Sequence, residues 1–138
     1  LVNVHGLDNL IWVWTVDVVK GAEEQYLDWY PGDEYVDILG VDIYAQDVDA
    51  KTRQYQALTD LTEGEKLVAI TECGNIPDPA KCMEAGNRWS WFMVWCTTDQ
   101  NGNLALNSPD WSLNTPEHWM SVMDSPYVIN RESMPSLR

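Results

Sequence analysis

Two acids, a phenol and an indole stand at or near the ends of apolar runs in this sequence: Asp42, Glu72, Tyr44 and Trp95. In parallel βα architectures reactive groups collect where strands end, because side chains there reach solvent from a rigid frame. A carboxylate so placed can attack an anomeric carbon, a phenol can hold and tune it, and an indole can floor a sugar ring. Glycoside hydrolysis could use that set. The same residues also suit plainer tasks: a strand-end Glu is commonly a structural hydrogen-bonding group, Asp42 could pin a loop, and Tyr44 and Trp95 could pack a rim.

Four strands must position these groups. Leu10 to Thr15 is a short run of β-formers entered after Gly6 and the Asp8-Asn9 turn signal, and Val36 to Tyr44 is nearly continuously apolar, the pattern of a strand covered on both faces. Lys66 to Glu72 and Trp89 to Cys96 complete the set. Alternation along a strand predicts that Asp42 and Tyr44 share a face with Ile38 and Gly40, that Glu72 shares one with Ile70 and Val68, and that Trp95 shares one with Met93 and Trp91. If those faces point inward, the four groups converge.

The intervening segments read as loop or helix. Leu1 to His5 resembles the end of a helix stopped by Gly6, and Trp29 to Asp33 contains a Pro-Gly turn. Tyr55, Leu58 and Leu61 have helical spacing ahead of Gly64. Asp78 and Thr115 are N-cap candidates, each followed by a proline suited to a first helical position, with Trp119, Met120 and Met123 as inner-face residues of the last helix. Alternating strands and helices argue for an α/β protein with a parallel sheet, and four such units amount to half a barrel. The 138 residues fall well short of the ~250 that a whole (β/α)8 barrel uses. With Leu1 in place of a methionine, the expectation is one partial domain, residues 1–138, whose N-terminal half lies upstream.

Composition narrows the partners. A formal net charge of −14 repels nucleic acid and anionic lipid, and no run approaches the ~20 apolar residues of a membrane span. Eight Trp and six Tyr offer flat faces for sugar rings, although many must be core. No cofactor cradle is evident. Cys73, Cys82 and Cys96 lack zinc or redox spacing, so no metal is assigned and their disulfide state stays open. Asp99, Asn101 and Asn103 read as a polar turn rather than a calcium loop. Glu23-Glu24 and Asp47 to Asp49 read as solvated loop, and His5 and His118 as incidental.

Five segments in order carry a resemblance. Asn9-Leu10-Ile11-Trp12-Val13-Trp14-Thr15, Trp29 to Asp37, Gly40-Val41-Asp42-Ile43-Tyr44, Thr71-Glu72 with Gly74, and Trp89 to Trp95 together look like glycoside hydrolase family 26, and the ending from Ser125 to Pro135 is similar to the end of that family's catalytic domain. The resemblance implies the C-terminal half, strands five to eight, of a (β/α)8 TIM barrel acting on β-1,4-mannan or glucomannan with retention. It implies Glu72 as nucleophile, Tyr44 as its hydrogen-bonded support, and Asp42 and Trp95 as substrate-binding groups. It also implies export: secreted, cell-surface or periplasmic. The family's acid/base, a Glu preceded by His, has no counterpart in this sequence. Alternatives are a family 26 xylanase or mixed-linkage glucanase, and a non-catalytic carbohydrate-binding remnant.

Overall fold

The computed structural model describes residues 2–17, 28–44, 48–95 and 114–136. Four strands, β1 (Val13–Asp17), β2 (Ile38–Ile43), β3 (Leu67–Cys73) and β4 (Phe92–Val94), form one sheet in the order β1-β2-β3-β4, and every pair is parallel. Helix α1 (Val2–His5) precedes β1, and α2 (Val48–Leu61), α3 (Pro79–Glu84) and α4 (Pro116–Met123) follow β2, β3 and β4 in turn, while between β1 and β2 the described residues hold only a single 3-10 turn, Asp33–Tyr35. Sequential strands that are also spatial neighbours, all parallel, make a singly wound sheet, the arrangement of consecutive units in a (β/α)8 barrel.

The helix boundaries follow local chemistry. Asp78 caps α3 by accepting from the amides of Ala80 and Lys81, with Pro79 opening the helix, and Gly86 follows with a positive φ of 79°. Thr115 caps α4 through the His118 amide, with Pro116 behind it. Helix α2 turns off at Glu63 and Gly64, both at positive φ, where the Gly64 amide closes back onto the Thr59 carbonyl at 2.9 Å.

One face of the sheet carries the core. Leu39, Val41 and Ile43 of β2 and Val68, Ile70 and Cys73 of β3 are buried with Leu58 of α2, and Tyr55 meets Trp89 edge to face at 5.0 Å. On α4 the inward residues are Val122, fully buried, and Trp119, whose ring lies 6.5 Å from Phe92. Met120 and Met123, expected inside, are exposed. Val122 sits three residues after Trp119, so the helix turns that stripe inward and the methionines outward.

The opposite face is open at its lower end, where Val13 and Leu67 are 42% and 61% exposed. Lys66, just before β3, ties that end to the turn Asp33–Tyr35 by donating to the carbonyls of Asp33 and Val36 at 2.8 and 2.6 Å. Strand β1 begins later than the sequence suggests, since Leu10 and Ile11 are exposed and pairing starts at Val13↔Ile38. Regular β4 is shorter than expected, yet its ladder continues outward: Ser90 donates to Val68, and Trp95 donates to Cys73. The Asn101-Gly102 turn, Asp99 to Asn103, Glu23-Glu24, Cys96 and Asp47 lie outside the described residues, as do the side chains of Val48 and Asp49.

Candidate active site

The site is built on an irregularity in β3. Val41 pairs with Ile70, but the next residue of β2, Asp42, pairs with Glu72, so Thr71 is an extra residue. The β4 side registers the same slip, Ile70↔Phe92 being followed by Cys73↔Val94. Pairing partners share a face, so Ile38, Gly40 and Asp42 lie with Leu67, Ala69 and Glu72 on the open face, and Leu39, Val41 and Ile43 with Val68, Ile70 and Cys73 on the helix face. The expected grouping of Glu72 with Ile70 and Val68 is therefore incorrect. A β-bulge, which shifts alternation by one residue, puts Glu72 on the face opposite to them.

The space for the bulge comes from β2. Gly40 has no side chain, and a Cβ there would lie 2.4 Å from Thr71 Cγ2 and 2.6 Å from Thr15 Oγ1. Two threonines thus occupy the room that the glycine leaves on the open face. The Thr71 hydroxyl donates to Asp42 Oδ1 at 2.8 Å, linking the bulge to the end of the neighbouring strand.

Above this layer Tyr44 donates its hydroxyl to Glu72 Oε2 at 2.7 Å. Glu72 Oε1 accepts no hydrogen bond among the described residues, which leaves one carboxylate oxygen for another partner. Asp17, Asp42 and Glu72 are register partners across three adjacent strand ends, a row of three acids. Burial, assisted by the charges of Glu72 and Asp17, raises the pKa of Asp42 against the opposing hydrogen bond from Thr71. Shielding of its hydroxyl, then the hydrogen bond to Glu72 and the charges of Glu72, Asp42 and Asp17, push the Tyr44 phenol well above its ordinary value. At neutral pH the phenol keeps its proton and acts as a donor to Glu72.

Trp95 follows β4, and its amide donates to the Cys73 carbonyl at 2.9 Å, which seats it beside the residue after Glu72. Val94 pairs with Cys73 on the helix face, so Trp91, Met93 and Trp95 alternate onto the open face with Glu72, as the sequence indicates. Trp95 is 47% exposed, leaving an indole surface available to a ligand.

The chain past Glu72 is held by residues that sequence reading passed over. Buried Asn114 donates to the Gly74 carbonyl at 2.6 Å and accepts from the Ile76 amide at 2.9 Å, while His118 Nε2 lies 3.2 Å from the Ile76 carbonyl. His118 is thus part of a clamp on the loop after β3 rather than incidental. Asn114 gave no motif signal, since a lone Asn before a cap is ordinary turn chemistry. Asp17 was missed because the first strand was ended at Thr15, two residues early; its position at a strand end was the available signal. Thr71 was missed because a bulge is a relation between strands. Cys73 and Cys82 are buried, and no group of three His, Cys, Asp or Glu among the described residues could hold a metal ion.

A singly wound parallel sheet with a carboxylate and a phenol joined at its strand ends defines an α/β protein of the (β/α)8 barrel class. The particular family is equally plain: residues 1–133 match the model of glycosyl hydrolase family 26, and the chain belongs to that family. It is 38% identical over 134 residues to a mannan endo-1,4-β-mannosidase of Thermothelomyces thermophilus, covering 97% of this chain and 24% of that protein. A mannan endo-1,4-β-mannosidase of Bacillus subtilis strain 168 is 32% identical, with 93% of this chain and 37% of that protein covered. Among solved structures, a β-mannanase from a symbiotic protist of the termite Reticulitermes speratus, complexed with gluco-manno-oligosaccharide, superposes with a TM-score of 0.73 at 33% identity over 97% of this chain and 38% of that one. The Podospora anserina GH26-CBM35 β-(1,4)-mannanase gives 0.67 at 35% identity over 94% of this chain and 26% of that one. The chain therefore spans between about a quarter and two fifths of the length of these four relatives.

Proposed function

We propose that this chain is the part of a retaining endo-β-1,4-mannanase that supplies strands five to eight of its barrel, with Glu72 as the nucleophile. The observation that carries the reading is the Tyr44 to Glu72 hydrogen bond at the bulged strand end, which holds one carboxylate oxygen and leaves the other without a hydrogen-bond partner among the described residues. Glu72 Oε1 attacks the anomeric carbon as the glycosidic bond breaks, and the departing oxygen takes a proton from an acid outside this polypeptide. The result is a glycosyl ester of Glu72. A water, deprotonated by the same outside group, attacks the anomeric carbon from the opposite side and releases the carboxylate, with net retention. Trp95 stacks on the sugar beside the scissile bond, and Asp42 bonds to its hydroxyls.

Retaining chemistry needs a second carboxyl about 5 to 5.5 Å away across the sugar. Asp42 is poorly suited to that part, because it leaves the adjacent strand on the same face as Glu72 and lies beside it rather than opposite. The family resemblance, whose acid/base is a Glu preceded by His, assigns that part to strands before β1, and on that reading the 138-residue chain by itself is expected to turn mannan over poorly. The named relatives support mannan or glucomannan as substrate, and export is proposed from the family resemblance alone.

The decisive test is Glu72→Ala in the complete enzyme. Turnover of mannan should vanish, and azide should restore cleavage of an activated mannoside with inverted configuration. Unchanged turnover on mannan removes Glu72 from the mechanism. A panel of mannan, β-1,3-xylan and lichenan fixes the polysaccharide, with preference for either of the last two counting against a mannanase.

A further inference from the structure

We infer that Thr71 is the positioning residue of this site, its place in the bulge turning Glu72 onto the open face and its hydroxyl, bound to Asp42, keeping it there. The inference rests on the reading of Glu72 as nucleophile. It starts from a competition between two registers. Continued alternation after Ile70 would put Thr71 on the open face and Glu72 on the helix face, beside the buried Ile70 and Ile43. Extra chain inserted at Thr71 removes that outcome by letting two consecutive side chains emerge on one side.

Three contacts select the bulged register. Gly40 admits the Thr71 side chain into space that a Cβ would close, Thr15 Oγ1 borders the same space from β1, and Asp42 Oδ1 accepts from Thr71 Oγ1 at 2.8 Å. The hydroxyl bond does two things at once. It fixes the rotamer of the residue whose backbone leads directly into Glu72, and it anchors Asp42, the acid paired with Glu72 in register. Thr71 touches neither of the atoms that react in the proposed mechanism, so it acts through Glu72. Its shape alone does not explain the choice, because Val fills the same volume without the donor.

Thr71→Val and Thr71→Ser separate shape from hydroxyl in the complete enzyme. With the melting temperature followed in parallel, Thr71→Val should lower kcat on mannohexaose about tenfold to a hundredfold, the scale expected of a nucleophile displaced by a fraction of an ångström, with little change in KM. Thr71→Ser, which keeps the donor, should stay within about threefold of the parent. Wild-type kcat in the Val variant, or a Ser variant as slow as Val, overturns the inference. Where Val prevents folding, Thr71→Ala gives the same comparison against Ser. A crystal structure of the Val or Ala variant provides the readout independent of activity: a Tyr44 hydroxyl still bonded to Glu72 Oε2 at the present distance overturns the positioning role, whatever Glu72 does. Loss of that bond supports it. Glu72→Ala run alongside tests the nucleophile reading by itself, so the two failures are distinguishable.

Discussion

Thr71 and Glu72 are consecutive residues whose side chains emerge on the same face of the sheet, Thr71 reaching Asp42 and Glu72 reaching Tyr44. Strands do not do this without a bulge. The consequence is a two-tier site in which a hydroxyl braces the strand below and a phenol holds the carboxylate above. Each tier can be removed separately.

Removal of the upper tier is the milder change. Tyr44→Phe keeps the ring, which is nearly half exposed, and deletes only the donor to Glu72 Oε2. A lost charge-assisted hydrogen bond of about 1.5 to 3 kcal/mol in the transition state corresponds to a kcat drop of about tenfold to a hundredfold. Melting temperature should barely move. Steady-state kinetics on mannohexaose would show kcat and kcat/KM falling together, and a change confined to KM would place Tyr44 in substrate binding alone.

The lower tier is structural. Gly40→Ala introduces a methyl 2.4 Å from Thr71 Cγ2 and 2.6 Å from Thr15 Oγ1. Both neighbours sit on strands, with little freedom to withdraw. Overpacking of this kind costs about 1 to 3 kcal/mol, so thermal denaturation should show a clear fall in midpoint. A melting temperature equal to that of the parent would mean that the threonines yield more easily than their strand positions suggest.

Features set by neighbouring residues were legible in the sequence, and features set by pairing were not. Asp78-Pro79 and Thr115-Pro116 announce their helices because a cap and its proline act within one turn. The parallel order of the strands followed from the strand and helix alternation, and the ends of β2 and β3 gave Asp42, Tyr44 and Glu72. The route to Glu72 was nevertheless faulty. Parity counted along β3 grouped it with Ile70 and Val68, which the register places on the helix face. The error leaves no trace in the composition of β3, because the bulge is stabilised by Gly40 and Thr15, residues of other strands. Asn114 was hidden for the same reason, its partners lying 38 and 40 residues away.

Asp42 should make stability depend on pH with a definite sign. Its folded pKa is raised above the ordinary 3.8, so the native state holds this proton more tightly than the unfolded chain does. Stability from the group is thus fully present below 3.8 and is lost as pH rises through the folded value. Asp42→Asn keeps an acceptor for Thr71 and removes the charge facing Glu72, Asp17 and the Tyr44 dipole. Urea denaturation at pH 3.5 and pH 7 should therefore show the variant gaining on the parent at the higher pH. An equal difference at both values would rule out the like-charge row as a source of strain. Activity should fall all the same, since Asp42 is proposed to bind the sugar.

The loop after Glu72 offers the last test. Asn114 satisfies the Ile76 amide and the Gly74 carbonyl from a side chain that is 3% exposed, and His118 adds a contact to the Ile76 carbonyl. Asn114→Ala strands two buried backbone groups, at a cost of about 1 to 3 kcal/mol for each that water cannot reach. Because the partners belong to the segment that leaves β3 just beyond the carboxylate, the loss should be local before it is global. Hydrogen exchange followed residue by residue would show the Ile76 amide exchanging at least tenfold faster, the change expected from about 1.4 kcal/mol, while Leu39 and Val41 amides in the centre of the sheet keep their protection. If Ile76 and the sheet amides accelerate together, the clamp is simply part of the global fold. If only Ile76 responds and kcat falls with it, the N-terminus of α4 is what holds the far side of the Glu72 strand end in place.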